Sequence, residues 1–220
     1  LRALEGSDEA NALTEKGAAR LDSMKLGLQR IQNLVLSLRR FSRLDESAFQ
    51  KVDVPAALET ALALLAHKLG KGIEVLRDLQ APVHLVCQPA LLNQVVMNLV
   101  SNAADALADT SAERERPQGR IVISSVMEDG RYEITIADDG PGLPVDLRAR
   151  VFEPFFTTKP VGTGTGLGLA IAYGVMEAHD GTIEITDANL PDGRGVGACF
   201  RLSIPVRMTE EGPVAIGRPS

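Results

Sequence analysis

Between Arg120 and Asp138 the chain reads RIVISSVMEDGRYEITIAD, two runs of alternating apolar and polar residues joined through Asp129-Gly130. Alternation with period two marks strands with one buried face, and Asp-Gly suits the tight turn between them. An antiparallel pair, Arg120–Met127 with Tyr132–Asp138, is therefore predicted. Upstream, Val83–Cys87 reads as a short strand, and Pro89 opens an apolar helix from about Ala90 to Ala108. Earlier still, Pro55 suits the first turn of a helix that carries Leu58, Leu62, Leu65 and Leu69 toward a core and stops by Gly70 or Gly72. Downstream, a helix beginning near Leu167 precedes two strands, Thr182–Asp187 and Ala198–Pro205. The second has Phe200, Leu202 and Ile204 on one face, and Asn189–Gly195 between them is a turn-rich loop. Helices and antiparallel strands segregate, so the fold class is α+β, a two-layer α/β sandwich and not a doubly wound sheet.

A different pattern lies near the start. Leu21, Met24, Leu28, Ile31, Val35 and Leu38 alternate spacings of three and four, the rhythm of bundled helices, and the run ends around Leu44. This predicts a long bundle-forming helix that needs a partner; a core helix of a single domain is the plainer alternative. Gly6–Gly17 before it is polar enough for a loop or a frayed helix start. The expected organisation is a partial helical region over 1–46, a domain over 47–206 and a flexible C-terminal tail over 207–220.

The 220 residues suffice for one fair-sized domain and an appendage, and 45% hydrophobic with 24% charged residues is ordinary globular usage, which argues against wholesale disorder. The net charge of −6 argues against a broad nucleic-acid surface and suggests no attraction to anionic membranes. Cys87 and Cys199 form no CxxC pair, so a zinc site or disulfide scaffold is not expected, and both are read as small buried residues in a reducing compartment. The most apolar stretch, Val54–Ala66, contains Glu59 and is well short of the roughly 18 residues needed to span a bilayer. The chain lacks both an initiator methionine and a basic-then-apolar leader, and the expectation is a cut within a longer protein.

Three segments carry chemistry. In the helix LLNQVVMNLVSNAADAL, which contains Asn98, Asn102 and Asp105, Asn98 and Asn102 are four apart and share a face, whereas Leu92, Val95, Val96, Leu99 and Val100 pack the core. Two carboxamides there must find partners or face a cleft, and an amide oxygen is a hard ligand suited to magnesium. Asp138-Asp139-Gly140-Pro141-Gly142 follows a strand directly. Its acid could accept from an exocyclic amine such as adenine's, while Gly140 and Gly142 let backbone approach a flat base. Gly162–Leu169, GTGTGLGL, runs into a helix, so successive amides and the helix N-terminus form a cradle for polyphosphate. It is neither a Walker loop nor a convincing dinucleotide turn. Just before it, Phe152–Lys159, FEPFFTTK, offers an aromatic anchor and a cation, as in a lid. Each segment alone has a plainer reading: amides capping loops, an ordinary turn, a flexible glycine loop.

The ordered set NLVSNAADA, DDGPG, FEPFFTTK and GTGTGLGLA resembles the N, G1, F and G2 boxes of sensor histidine kinases of two-component systems, most like the nitrogen-regulation type. The resemblance covers about residues 51–206, the catalytic ATP-binding domain, and residues 11–46 are similar to the second helix of the dimerisation and phosphotransfer hairpin. It implies a Bergerat-type fold shared with gyrase, heat-shock chaperone and mismatch-repair ATPases, and the cofactors ATP and Mg2+. It implies that Asn102 ligates magnesium, that Asn98 lies beside the phosphates and Asp105 near the ribose or phosphate edge. Asp138 would read adenine N6, and Gly140 and Gly142 would shape the base pocket. Gly164, Thr165, Gly166, Leu167, Gly168 and Leu169 would close over the triphosphate, with Thr158 and Lys159 in the lid. Implied partners are a second copy through the Leu21–Leu38 helix, a response-regulator receiver domain and an upstream sensory module, in the cytoplasm, with any membrane anchor of the full-length protein upstream.

The hydrolases of this superfamily resemble one another in having glutamate where this chain has Asn98. An amide cannot deprotonate water, which favours transfer to a histidine over hydrolysis. Two features depart from the family. None of His67, His84 and His179 fits the phosphoacceptor pattern; all three are read as structural or solvated, and the acceptor is expected upstream of Leu1. Ala198 stands where the family often has a threonine that helps hold water beside adenine. The alternatives to a kinase are a hydrolysing ATPase of the same superfamily and a non-catalytic nucleotide-binding interaction module.

Overall fold

The computed structural model describes residues 48–70, 72–109, 119–159, 164–188, 190, 196–210 and 212–216, together with Gly17, Arg20, Met24 and Gly27. The chain divides into two compact units, residues 1–42 with 157–165 and residues 43–156 with 166–220. In the first, Gly17, Arg20, Met24 and Gly27 are helical and Met24 is exposed. The other positions of the proposed Leu21–Leu38 bundle helix lie outside the described residues.

In the second unit the order is β1 (Gln50–Asp53), α1 (Val54–Leu64), α2 (Ala66–Leu69), β2 (Ile73–Leu79), β3 (His84–Cys87), α3 (Pro89–Asp109), β4 (Gly119–Glu128) and β5 (Arg131–Asp138). After two 3-10 turns, Val145–Leu147 and Arg150–Phe152, come α4 (Gly168–Ala178), β6 (Thr182–Asp187), β7 (Ala198–Thr209) and β8 (Gly212–Ala215). The β4–β5 hairpin forms as its sequence requires. Asp129 and Gly130 both take positive φ, 49° and 73°, and the register runs from Glu128↔Arg131 to Ile121↔Asp138. β5 pairs onward with β7, which also pairs with β6, while β2 joins β4 in parallel at the far edge. Asp53 caps α1 by accepting from the Ala56 amide at 2.9 Å, with Pro55 in the first turn.

Helices α1, α3 and α4 form one layer and the sheet the other. Leu58, Leu62, Val95, Val96, Leu99, Val100, Ile171 and Val175 from the helices, and Ile121, Ile123, Ile134, Ile136, Phe200, Leu202 and Ile204 from the strands, are all buried. Tyr132 is also enclosed; its hydroxyl donates to the Pro82 carbonyl at 2.8 Å. Burial pushes the Tyr132 phenol and the Cys87 thiol each up to about 12. A folded value raised above the unfolded one adds stability below the unfolded pKa, and that stability is lost as pH climbs toward 12.

Three strands escape the sequence pattern. β1 is four residues with only Val52 buried, β2 is a largely exposed edge, and β8 carries Gly212 and Pro213. Much of the described part of the segment expected to be loose beyond Val206 is instead strand: β7 runs to Thr209, and β8 pairs with it from Val206↔Ala215 to Thr209↔Gly212 and also with β3. Cys87 is fully buried as expected, but Cys199 is only partly so, since it lies on the sheet face opposite Phe200. His67 and His84 are exposed. His179 is buried, its Nδ1 donating to the Val175 carbonyl at 2.9 Å, and burial holds its pKa below the ordinary value despite that bond.

Gly197 is the tightest joint. With φ of 44°, a Cβ there would lie 1.9 Å from the Asp138 carbonyl oxygen, a backbone atom that cannot swing aside. Gly197→Ala is expected to cost about 3 kcal/mol or more, because the ends of β5 and β7 must part. Urea denaturation checks this; a loss below about 1 kcal/mol would show that the joint can relax.

Candidate functional site

The site assembles around α3, whose buried stripe faces the sheet. Asn98, Asn102 and Asp105, on another face of the helix, are only partly covered. Asn98 Nδ2 donates to the Gly168 carbonyl at 2.9 Å, fastening the start of α4 to α3. The carboxamide read as lying beside phosphates thus also holds the glycine segment in place. Asp105 accepts from Lys68 Nζ of α2 at 2.8 and 3.0 Å, a partner no motif announced.

Asp138 ends β5 with its side chain buried, and its Oδ1 accepts from the Gly140 amide at 2.9 Å and the Ala198 amide at 3.3 Å. The second contact comes from the backbone of Ala198, the residue at which the family often has threonine; its side chain offers no hydroxyl to the site. Asp139 serves the scaffold, its Oδ1 accepting from the Arg120 amide at 2.7 Å. The loop beyond is tied down by Arg148, which donates from Nε to the Leu143 carbonyl at 3.1 Å and pairs with Asp187. A Cβ on Gly140 would meet Ala106 of α3 at 3.6 Å, and one on Gly142 would meet the Gly197 carbonyl at 2.9 Å. One helix therefore touches both glycine segments, at Asn98 and at Ala106, points about 12 Å apart along its axis.

Gly166 packs on the aromatic segment. The Phe155 amide donates to the Gly166 carbonyl at 2.8 Å, and with φ of 65° a Cβ on Gly166 would lie 2.4 Å from the Phe155 carbonyl carbon. Leu167 is buried, and Gly168 and Leu169 begin α4. Around them Phe152 stacks at a tilt on Tyr173, 5.6 Å between centroids, and the Arg150 guanidinium sits 4.6 Å over the Phe156 ring. Thr158, Lys159, Gly164 and Thr165 belong to the other compact unit. There the Lys159 amide donates to Thr157 Oγ1 at 3.2 Å, and Gly164 lies so close that a Cβ would be 2.5 Å from that oxygen.

Among the described residues no three His, Cys, Asp or Glu side chains gather to hold a metal. Asp105, three residues on, is engaged by Lys68, so the Asn102 amide oxygen stands one turn from an acid that is already paired. That donor set fits magnesium that arrives with phosphate oxygens and waters completing its shell.

Residues 87–208, more than half of the chain, match the family described as histidine kinase-, DNA gyrase B- and HSP90-like ATPases. The chain belongs to this family. Its α+β architecture is the Bergerat-type fold of the catalytic ATP-binding domains of sensor histidine kinases, to which it is homologous. It is 34% identical over 174 residues to the C4-dicarboxylate transport sensor protein DctB of Pseudomonas aeruginosa, covering 78% of this chain and 28% of that protein. To the nitrogen regulation protein NtrY of Azorhizobium caulinodans it is 34% identical over 187 residues, covering 84% of this chain and 22% of that one. Full-length ShkA, solved in complex with AMPPNP, superposes with a TM-score of 0.64 at 27% identity, covering 86% of this chain and 37% of that one. The chain thus spans less than a third of the length of each of these two curated relatives. Among its described residues no helix is long and apolar enough to cross a membrane.

Proposed function

We propose that this chain is the ATP-binding kinase core of a two-component sensor, passing the γ-phosphate of ATP to a histidine and thence to an aspartate of a response-regulator receiver domain. The observation that carries the reading is the Asn98 side chain. Its amide is committed as a donor to the Gly168 carbonyl, so at the position of the hydrolases' glutamate there is no group able to take a proton from water. A carboxylate there would face that carbonyl oxygen, so the α3–α4 joint itself suits an amide. ATP held here persists until an external nucleophile arrives.

In this reading Asp138, ordered by the Gly140 and Ala198 amides, accepts from adenine N6, and the α4 start with Gly166 and Gly168 lies along the phosphates. Bound magnesium, held by Asn102, would supply charge dispersal on the departing diphosphate. Thr158, Lys159, Gly164 and Thr165 are assigned to the lid by the family resemblance. α3 touches one glycine segment at Asn98 and the other at Ala106, about 12 Å apart along its axis, so in this reading phosphates and base lie at separate points along one helix. The complex of ShkA with AMPPNP supports the same ligand here. The acceptor histidine is assigned to an upstream hairpin helix, the Leu21–Leu38 helix to pairing with a second copy, and control to an upstream sensory module.

Transfer tests this. Incubated with γ-labelled ATP and a separately supplied hairpin that carries an acceptor histidine, the chain is expected to place acid-labile, base-stable phosphate on the hairpin and none on itself. Steady release of free phosphate without label on the hairpin would contradict the kinase and favour a hydrolase.

A further inference from the structure

Lys68 belongs to none of the four motifs, yet its ammonium donates to both oxygens of Asp105, at 2.8 and 3.0 Å, and to Ser101 Oγ at 2.8 Å. These three bonds engage all the donors a lysine has. The sequence brings it there in two steps. α1 breaks at Leu65, and the single turn of α2 restarts the chain in a direction that buries Leu69 while turning Lys68 onto the flank of α3. On that helix Asp105 follows Asn102 by three residues, so their Cβ atoms are about 5–6 Å apart.

We propose that Lys68 is a positioning residue of the nucleotide site: it holds Asp105 and cancels its charge, so that the neighbouring Asn102 face admits a metal-bound polyphosphate. The inference rests on the ATP reading above. Its physics is that of a polyanion meeting a carboxylate. One turn from Asn102, an Asp105 whose charge Lys68 did not offset would repel phosphate oxygens or draw the metal off its amide. The Lys68 and Asp105 side chains are 34% and 31% exposed, so their pairing contributes little to stability and its loss leaves the fold standing. Its weight falls on the ligand. A direct lysine–phosphate contact is the less economical arrangement, because Lys68 would have to abandon bonds it already makes.

Calorimetric titration of the whole chain with magnesium-ATP tests this across Lys68→Met, Lys68→Arg, Asp105→Asn and the double Lys68→Met/Asp105→Asn, each first shown to melt cooperatively. Lys68→Met is expected to weaken binding about tenfold, a deficit that shrinks as salt is raised. Lys68→Arg should bind like the parent. The double variant should recover to within about twofold to threefold of Asp105→Asn alone, because the charge needing cancellation is gone; a merely structural role for Lys68 predicts no such rescue. Unchanged affinity in Lys68→Met overturns the proposal. So does a double variant as weak as Lys68→Met, which would make the ammonium a direct ligand. If the parent chain itself takes up no nucleotide, the ATP reading fails and this inference falls with it, a result distinct from either of the other two.

Discussion

Replacing Asn102 by alanine is expected to remove the magnesium-dependent part of ATP affinity, a loss on the order of a hundredfold, while the protein melts as before. Asn102 lies on the partly covered side of α3, whereas Val95, Val96, Leu99, Val100 and Ala103 fill the core behind it. Alanine also favours the helix. The substitution therefore touches the ligand oxygen and little else. The contrast with Asn98 is informative, since that amide joins α3 to α4 and its removal would disturb the scaffold as well as the ligand. Titration with and without magnesium separates the two effects. Equal affinity of parent and Asn102→Ala with the metal present would remove Asn102 from the metal's shell.

Asp138→Asn carries the second large effect, and it concerns base choice. The buried carboxylate uses Oδ1 to order the Gly140 and Ala198 amides. Asparagine keeps one carbonyl oxygen for those donors, so the turn survives. Its other atom becomes an NH2, which places a donor against adenine's exocyclic amine. An unpaired donor inside a buried site is expensive, and ATP affinity is expected to fall on the order of a hundredfold. GTP, with an acceptor oxygen at that position of the base, should lose far less. Competition titrations with both nucleotides read the ratio directly. An equal loss for both bases would mean that Asp138 shapes the loop without reading the base.

The fold was legible where burial has a period. The β4–β5 hairpin carries its alternation and its turn residues on its face, and β6 emerges with the bounds its sequence suggests. What escaped notice is held by distant partners. β8 is made of Gly212, Pro213, Val214 and Ala215, which read as loop until β7 and β3 supply hydrogen bonds on both sides. Much the same holds for β1, whose four residues gain strand form from β3. At the site, residue types and order identify the candidates, because amides on an apolar helix and glycines before another are costly unless used. Their division of labour was hidden. That Asn98 braces α4, that Asp139 braces β4 and that Gly197 abuts the Asp138 carbonyl depends on contacts 19 to 70 residues apart in the chain. Lys68 left no trace at all, being one polar residue in a one-turn helix.

The proposed function requires a single binding event, uptake of a magnesium-bound adenine nucleotide on the partly covered face of α3 that carries Asn98 and Asn102. Isothermal titration of the unmodified chain with a non-hydrolysable ATP analogue measures it most directly. One saturable site per chain is predicted, tightened by magnesium and displaced by ATP in preference to GTP. Absence of saturable uptake at millimolar analogue, with the protein folded, would contradict the assignment of the four motifs to a nucleotide.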